Sequence, residues 1–361
     1  MPACNQCKKP EASNSCICGA VWYCGAECQK KDWKKHKANC PPFSVQDIPG
    51  KGKGLIAVRK INFGEKILQE KPLLVIDNNK SDNYDDWCDY VIQQIDGLKE
   101  DELVVYNNLA DNETFKKTSE LLYIKFKKDY SEEKLKYLRI LRTNGVNTDD
   151  EGRQTCVFPK FSLLNHSCAP NAMRNVEDEE DGVEVTVTAA RDITKGEEIT
   201  IKYFSQEIAS MTRDKRRVKL LNWGFQCSCQ ICNLEGDDLE NNEQVREKLE
   251  AVKEELKKCP TDANDIKSLL KQRKIEICII SLLRELRTQL IAEMPDHLMA
   301  CHHVLQLLIV HRQKVTENPD AFRQEALGLA SKLGSKFITE FEFWDKLTNK
   351  TLNAFKTRRR K

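Results

Sequence analysis

No run of apolar residues in this 361-residue chain approaches the roughly 20 that span a bilayer. The opening residues, Met1-Pro2-Ala3-Cys4, lack the apolar core of a secretion signal. A soluble, intracellular protein is therefore expected. Net charge is scarce as well. The 58 Lys and Arg against 56 Asp and Glu leave +2, too little to make the whole molecule a magnet for nucleic acid. There is no exact internal repeat and no low-complexity linker, so the organisation must be read from changes of character along the chain.

Cysteine, by contrast, is plentiful, at 16 residues. A reducing compartment disfavours disulfides and points to metal ligation. Eleven of the cysteines fall into tight clusters or a short motif, whereas Cys88, Cys156, Cys259, Cys278 and Cys301 are scattered and read as small buried hydrophobes. Charge is also uneven. Lys30, Lys31, Lys34, Lys35 and Lys37 crowd one stretch, and Lys356, Arg358, Arg359, Arg360 and Lys361 end the chain. Both read first as a solvated helix face and a tail, and second as weak nucleic-acid contacts or a nuclear import signal.

Residues 1 to 40 form a unit too small to fold without metal. From 49 to 76, turn signals alternate with β-branched runs such as Leu55-Ile56-Ala57-Val58 and Lys66-Ile67-Leu68, which predicts short strands. Between 82 and 142 the spacing becomes helical, at Leu121, Leu122, Ile124, Leu135, Leu138 and Leu141. Period-two alternation returns at 182–188 and at 198–203. From 237 onward the pattern predicts helices to the end, punctuated by Pro260, Pro295 and Pro319.

The first cluster runs Cys4-x2-Cys7, Cys16-x-Cys18, Cys24-x3-Cys28 and His36-x3-Cys40. Seven thiols and one imidazole suit two tetrahedral zinc sites, because each short spacing lets a pair of ligands face one ion. A helix is expected from Ala26 to Asn39, with His36 and Cys40 one turn apart on one face. Metal would supply the folding energy that forty residues cannot.

These residues, with Trp22-Tyr23, Trp33 and His36-Lys37 between the ligands, resemble a MYND zinc finger. The resemblance implies interleaved ligands, with Cys4, Cys7, Cys24 and Cys28 on one zinc and Cys16, Cys18, His36 and Cys40 on the other. The family usually has Cys-x2-Cys where this chain has the tighter Cys16-x-Cys18. It also implies that the finger binds short proline-containing peptides rather than DNA.

Four further motifs follow in order. They are Gly50-Lys51-Gly52-Lys53-Gly54, Asn165-His166-Ser167-Cys168-Ala169-Pro170-Asn171, Gly196-Glu197-Glu198-Ile199 with Tyr203, and Cys227-x-Cys229-x2-Cys232. Together they resemble a SET domain and its post-SET zinc motif, so nearly the whole chain is similar to SET-and-MYND protein-lysine methyltransferases. The finger precedes Gly50, an order associated with an arthropod-type branch. The fold implied is an α+β multidomain chain binding three zinc ions. Its expected parts are a zinc-bound finger at 1–42, the SET N-terminal part at 43–80, a helical insert at 81–142, the SET core at 143–205, a post-SET zinc segment at 206–236 and an all-α, superhelical (TPR-like) domain at 237–361.

The resemblance implies S-adenosylmethionine as cofactor and a protein lysine as acceptor. Lys51, Gly52 and Lys53 would line the cofactor's carboxylate and amino end, Asn144 would contact it, and Asn165 and His166 would hold its amino group and adenine. Tyr203 would aim its hydroxyl at the transferring methyl, Phe225 would cover the adenine, and Cys168, Cys227, Cys229 and Cys232 would bind the third zinc. At a channel position where many relatives carry tyrosine, this chain has Trp223. Tryptophan there could narrow the channel or stack on the substrate's cation. The alternative to an active enzyme is a zinc-stabilised adaptor or corepressor that recruits partners through the finger and the C-terminal helices. The remaining expectations are a monomer, no membrane association, and residence in nucleus and/or cytoplasm.

Overall fold

The computed structural model describes residues 2–112, 130–148, 152–179, 182–204 and 211–257. The expected superhelical C-terminal domain, beyond residue 257, and Leu121, Leu122 and Ile124 of the insert lie outside the described residues. Among the described residues no helix is long and apolar enough to cross a membrane.

The finger comprises a two-strand ladder, β1 (Asn14–Ser15) against β2 (Trp22–Tyr23), and helix α1 (Ala26–Asn39). Its small interior is Cys4, Ala12, Cys16, Cys18 and Tyr23. Buried Asp32 ties α1 to this interior, accepting hydrogen bonds from Asn5 Nδ2 at 2.7 Å and Tyr23 Oη at 2.8 Å. Those two donors hold its carboxyl below the usual range, so it stays charged where it sits. The expectation for Cys40 needs correction: α1 ends at Asn39 and Cys40 is extended, with φ −70° and ψ 114°. The chain leaves the helix there to run into the next strand, so of the pair His36 and Cys40 only His36 is on the helix.

Three small sheets follow. One has the order β3 (Phe43–Ile48), β4 (Gly52–Ala57), β12 (Glu198–Ile201), β9 (Asn165–His166). A second is β10 (Ala172–Glu179), β11 (Gly182–Ala189), β5 (Lys66–Glu70). The third is β6 (Leu74–Asp77), β8 (Gln154–Val157), β7 (Gly145–Asn147). The alternation read at 182–188 becomes β11, whose Val183, Val185 and Val187 all enter the core. Each such side chain contributes about 1.5–3 kcal/mol of burial. They meet Leu55, Ile67, Ile193, Ile199 and Ile201 from the other strands. The second predicted alternation is shorter than expected, because β12 ends at Ile201 and Tyr203 already stands beyond it.

The insert contributes α2 (Tyr84–Asp96), α3 (Glu100–Asn107) and α4 (Glu132–Asn144). Asn83 caps α2 by accepting from the backbone N–H groups of Asp85 and Asp86, and Ser131 caps α4 through Lys134 N. Val91, Ile95, Tyr106, Tyr137 and Ile140 bury these helices against Leu74, Ile76 and Val157 of the third sheet. Helix α5 (Arg213–Leu220), a short 3-10 turn (Leu221–Trp223) and helix α6 (Gly236–Lys257) then enclose the Cys227–Cys232 loop.

Candidate active site and zinc centres

The pairing of β12 with β9 is parallel, with Thr200 beside Asn165 and Ile201 beside His166. A parallel contact between two such short strands is weak by itself. Here Asn171, 1% exposed, secures it. Asn171 Nδ2 donates to Glu197 Oε1 at 2.9 Å and to the Glu198 carbonyl at 2.8 Å, while its Oδ1 accepts from Thr200 N at 2.8 Å. The Pro170-Asn171 end of the motif is thus a clasp that closes the strand crossing.

The crossing brings four sequence motifs together. Asn165 Nδ2 donates to the Lys53 carbonyl at 3.1 Å and to Glu198 Oε1 at 2.9 Å. The other oxygen of Glu198 accepts from Lys51 Nζ at 2.6 Å. The glycine turn makes this possible in two ways. Gly50 and Gly52 adopt φ of +74° and +76°, a region that side chains disfavour. At Gly54 the reason is space: a Cβ would lie 2.6 Å from Ile48 Cγ1 and 2.9 Å from Asn165 Nδ2. Lys53 reaches the cluster by its backbone, since its ammonium pairs across the hairpin with exposed Asp47 at 3.1 Å.

Both ring nitrogens of His166 are engaged. Nδ1 accepts from Tyr203 N at 3.1 Å, and Nε2 lies 3.4 Å from Cys168 Sγ. An acceptor Nδ1 places the proton of the neutral ring on Nε2, which then donates to the sulfur. Burial lowers this imidazole to about 4, so it is neutral at physiological pH. His166 is therefore available neither as a metal ligand nor as a general base. Tyr203 Oη donates to the Leu164 carbonyl at 2.9 Å. Burial first, with the Glu198 charge adding to it, pushes the phenol well above its ordinary range and keeps it protonated.

An aromatic wall surrounds these groups. His166 stacks on Phe204 with ring centroids 5.4 Å apart, Phe204 stacks on Trp223 at 6.0 Å, and Phe225 meets Tyr203 edge-on at 6.2 Å. Trp223 lies 5.7 Å from Tyr203. Gly224, with φ +75°, turns the chain between Trp223 and Phe225 so that both rings face the same cluster. Asn144 is set apart, at the end of α4, where its Nδ2 donates to the carbonyls of Ala110 at 2.9 Å and Ile140 at 2.8 Å. Both amide hydrogens are used, so a ligand could reach it only through Oδ1.

Among the described residues stand three clusters of four ligand side chains: Cys4, Cys7, Cys24 and Cys28; Cys16, Cys18, His36 and Cys40; and Cys168, Cys227, Cys229 and Cys232. Tetrahedral bonds of about 2.3 Å from zinc to sulfur set ligand separations of roughly 3.8 Å. The observed distances match: 3.6 Å for Cys7–Cys24, 3.5 Å for Cys24–Cys28, 3.9 Å for Cys16–Cys40, 3.6 Å for Cys168–Cys232 and 4.0 Å for Cys168–Cys227. The donor sets therefore fit three zinc ions. The tight Cys16-x-Cys18 pair is accommodated by a turn in which Gly19 N donates to the Cys16 carbonyl at 2.8 Å with φ +71°.

Three participants in this cluster have no role in the sequence reading. Glu198 stands inside a motif and Phe204 beside Tyr203, yet their parts depend on which strand lies beside which. Arg216 lies in the basic stretch Arg213 to Arg217, to which the sequence reading gives no task, and it is 0% exposed.

Comparison with known proteins agrees with this geometry. The SET domain family model matches residues 52–204, and the MYND finger model matches residues 4–40. The Arabidopsis thaliana histone-lysine N-methyltransferase ASHR1 is 27% identical over 236 residues, covering 64% of this chain and 46% of that protein. Human N-lysine methyltransferase SMYD2 is 24% identical over 247 residues, covering 65% of this chain and 51% of its own. The Arabidopsis histone-lysine N-methyltransferase ATXR2 is 37% identical over a shorter stretch of 78 residues, 22% of this chain. The chain spans about half the length of ASHR1 and SMYD2. The chain thus carries a match to the MYND finger followed by a match to the SET domain, together with three Cys/His clusters that fit zinc.

Proposed function

We propose that this chain transfers methyl groups from S-adenosylmethionine to lysine side chains of protein substrates. The observation that carries this reading is the meeting of Asn165, His166 and Tyr203 at the parallel β9–β12 contact, walled by Phe204, Trp223 and Phe225. The activities named for ASHR1 and SMYD2 support it.

The cofactor, when bound, supplies a methyl already activated on a sulfonium. The chain supplies orientation and a dry surface. Lys51, Gly52 and Lys53 hold the cofactor's amino-acid end, with Glu198 fixing Lys51 and Asn165 in one arrangement. Asn144 contributes its Oδ1, Asn165 and His166 bind the amino group and adenine, and Phe225 covers the adenine ring. Because both ring nitrogens of His166 are engaged, its contribution comes from backbone and ring face.

A substrate lysine must be neutral to act as nucleophile, although its free pKa is about 10.4. The aromatic wall of Tyr203, Phe204 and Trp223 disfavours the ammonium by excluding water. Tyr203 Oη donates to Leu164 O and keeps its lone pairs for the incoming amine. Trp223 offers its face to the lysine stem. In the same reading the finger takes proline-containing peptides, the basic run of α1 adds weak contact with nucleic acid, and the chain acts as a monomer of the arthropod-type branch in nucleus and/or cytoplasm.

Radiolabelled methyl transfer to a panel of lysine-bearing proteins tests the reading. The parent labels at least one substrate on lysine, and Tyr203→Phe slows the reaction by about 10²-fold while still binding cofactor. A Tyr203→Phe protein that turns over at the parent's rate contradicts the role given to the hydroxyl. Cofactor binding without transfer to any protein would favour the adaptor alternative.

A further inference from the structure

Arg216, 0% exposed, is one of two arginines among the largest fully buried side chains of the described residues, and it is a cation. Arginine keeps its charge in protein interiors, so its burial requires compensation. The carboxylate nearest to it is Glu243, 4.0 Å away, and that group already accepts from Arg213 N at 2.9 Å. Its other partners are the Met211 carbonyl, 2.5 Å from Nη1, and the thiol sulfur of Cys232, 3.7 Å from Nη2. Carbonyls solvate a cation but do not neutralise it. Four thiolates around one zinc carry a formal charge of about −2, which does.

The neighbours of Arg216 on α5 grip the same loop. Arg217 Nη2 donates to the Cys232 carbonyl at 3.3 Å, and Arg213 Nη1 donates to the Leu234 carbonyl at 3.2 Å. Helix α5 leads directly into Trp223 and Phe225. We infer that Arg216 is a positioning residue that neutralises the third zinc–thiolate cluster through Cys232 and so fixes the Trp223–Phe225 wall against Tyr203. Its effect on turnover rests on the methyl-transfer reading; its effect on zinc does not.

The test uses the full zinc-loaded chain, with zinc release to a chromophoric chelator as readout. The phase belonging to the third site is assigned by its disappearance in Cys229→Ser. In Arg216→Met that phase is expected to accelerate by about 10–100-fold, the range typical of lost outer-shell partners, while the finger zincs leave at the parent's rate. Arg216→Lys keeps the charge without the planar fork and should fall between. Should Arg216→Met fail to fold, the cobalt-loaded Lys variant remains informative, because altered donation to Cys232 shifts the thiolate-to-cobalt charge-transfer band. An unchanged band together with an unchanged release rate in the Lys variant overturns the inference, as does parental zinc release from a folded Met variant. A parent chain that lacks methyl transfer but shows these zinc effects would sink the enzyme reading and leave the role of Arg216 standing.

Discussion

The finger and the third zinc cluster use the same chemistry in opposite circumstances. In the finger, the ligands are a large part of the interior: Cys4, Cys16 and Cys18 are themselves buried, and Cys7 and Cys24 are exposed. The third cluster shares its core with Leu220, Ile231 and Val245, and Cys168, Cys227 and Cys232 are all buried. His166 Nε2 and Arg216 Nη2 lie against two of its sulfurs. Metal in the finger thus substitutes for a core, whereas metal in the third site joins the sheets, which have a core of their own, to the helices around the Cys227–Cys232 loop.

The largest expected effect tests the first half of that contrast. His36→Ala should unfold residues 4–40, because structural zinc supplies about 10–16 kcal/mol of folding free energy in such units. Metal analysis should fall from three zinc per chain toward one, and the third site should survive. A finger that keeps its protease resistance without zinc would break the comparison.

Two smaller effects sharpen the second half, in which packing prepares the candidate site. Gly54→Ala puts a methyl group 2.6 Å from Ile48 Cγ1 and 2.9 Å from Asn165 Nδ2. Overpacking of this kind costs about 1–3 kcal/mol, so cofactor affinity should drop about 10-fold as Asn165 is displaced. Calorimetric titration measures it, and unchanged affinity would show that the close approach is incidental. Glu198→Gln removes the ion pair with Lys51 while leaving an acceptor for Asn165. The Lys51 side chain is 35% exposed, so the pair is worth at most about 1 kcal/mol and the affinity change should stay near 5-fold. A much larger loss would mean that Glu198 itself contacts the ligand.

How much of this was legible in the sequence follows the same division. The finger's ligands could be grouped from spacing and resemblance because zinc dictates how far apart its ligands sit. The alternating valines of β11 declared themselves because one face is buried. Short strands such as β6 and β8 carry too few residues for a period, and their pairing is set by the sheet they complete. Glu198 appeared in a motif without a task, since its task depends on β4 and β9 lying on either side of β12. Arg216 was the hardest to read. Five residues holding Arg213, Lys215, Arg216 and Arg217 look like a solvated face, and only the fold shows that one of the four points inward to a cluster of sulfur. Cys40 was placed one residue too far along its helix, because cysteine has no strong helix-stopping signature and the following Pro41-Pro42 only marks the exit.

The central claim is that the Asn165–His166–Tyr203 crossing is a working cofactor site. Calorimetric titration of the zinc-loaded full chain with S-adenosylmethionine, run in parallel on Asn165→Ala and Tyr203→Phe, tests it most directly. The account predicts saturable binding in the parent and in Tyr203→Phe, and its loss in Asn165→Ala. Absence of binding in the parent, or undiminished binding in Asn165→Ala, would contradict it.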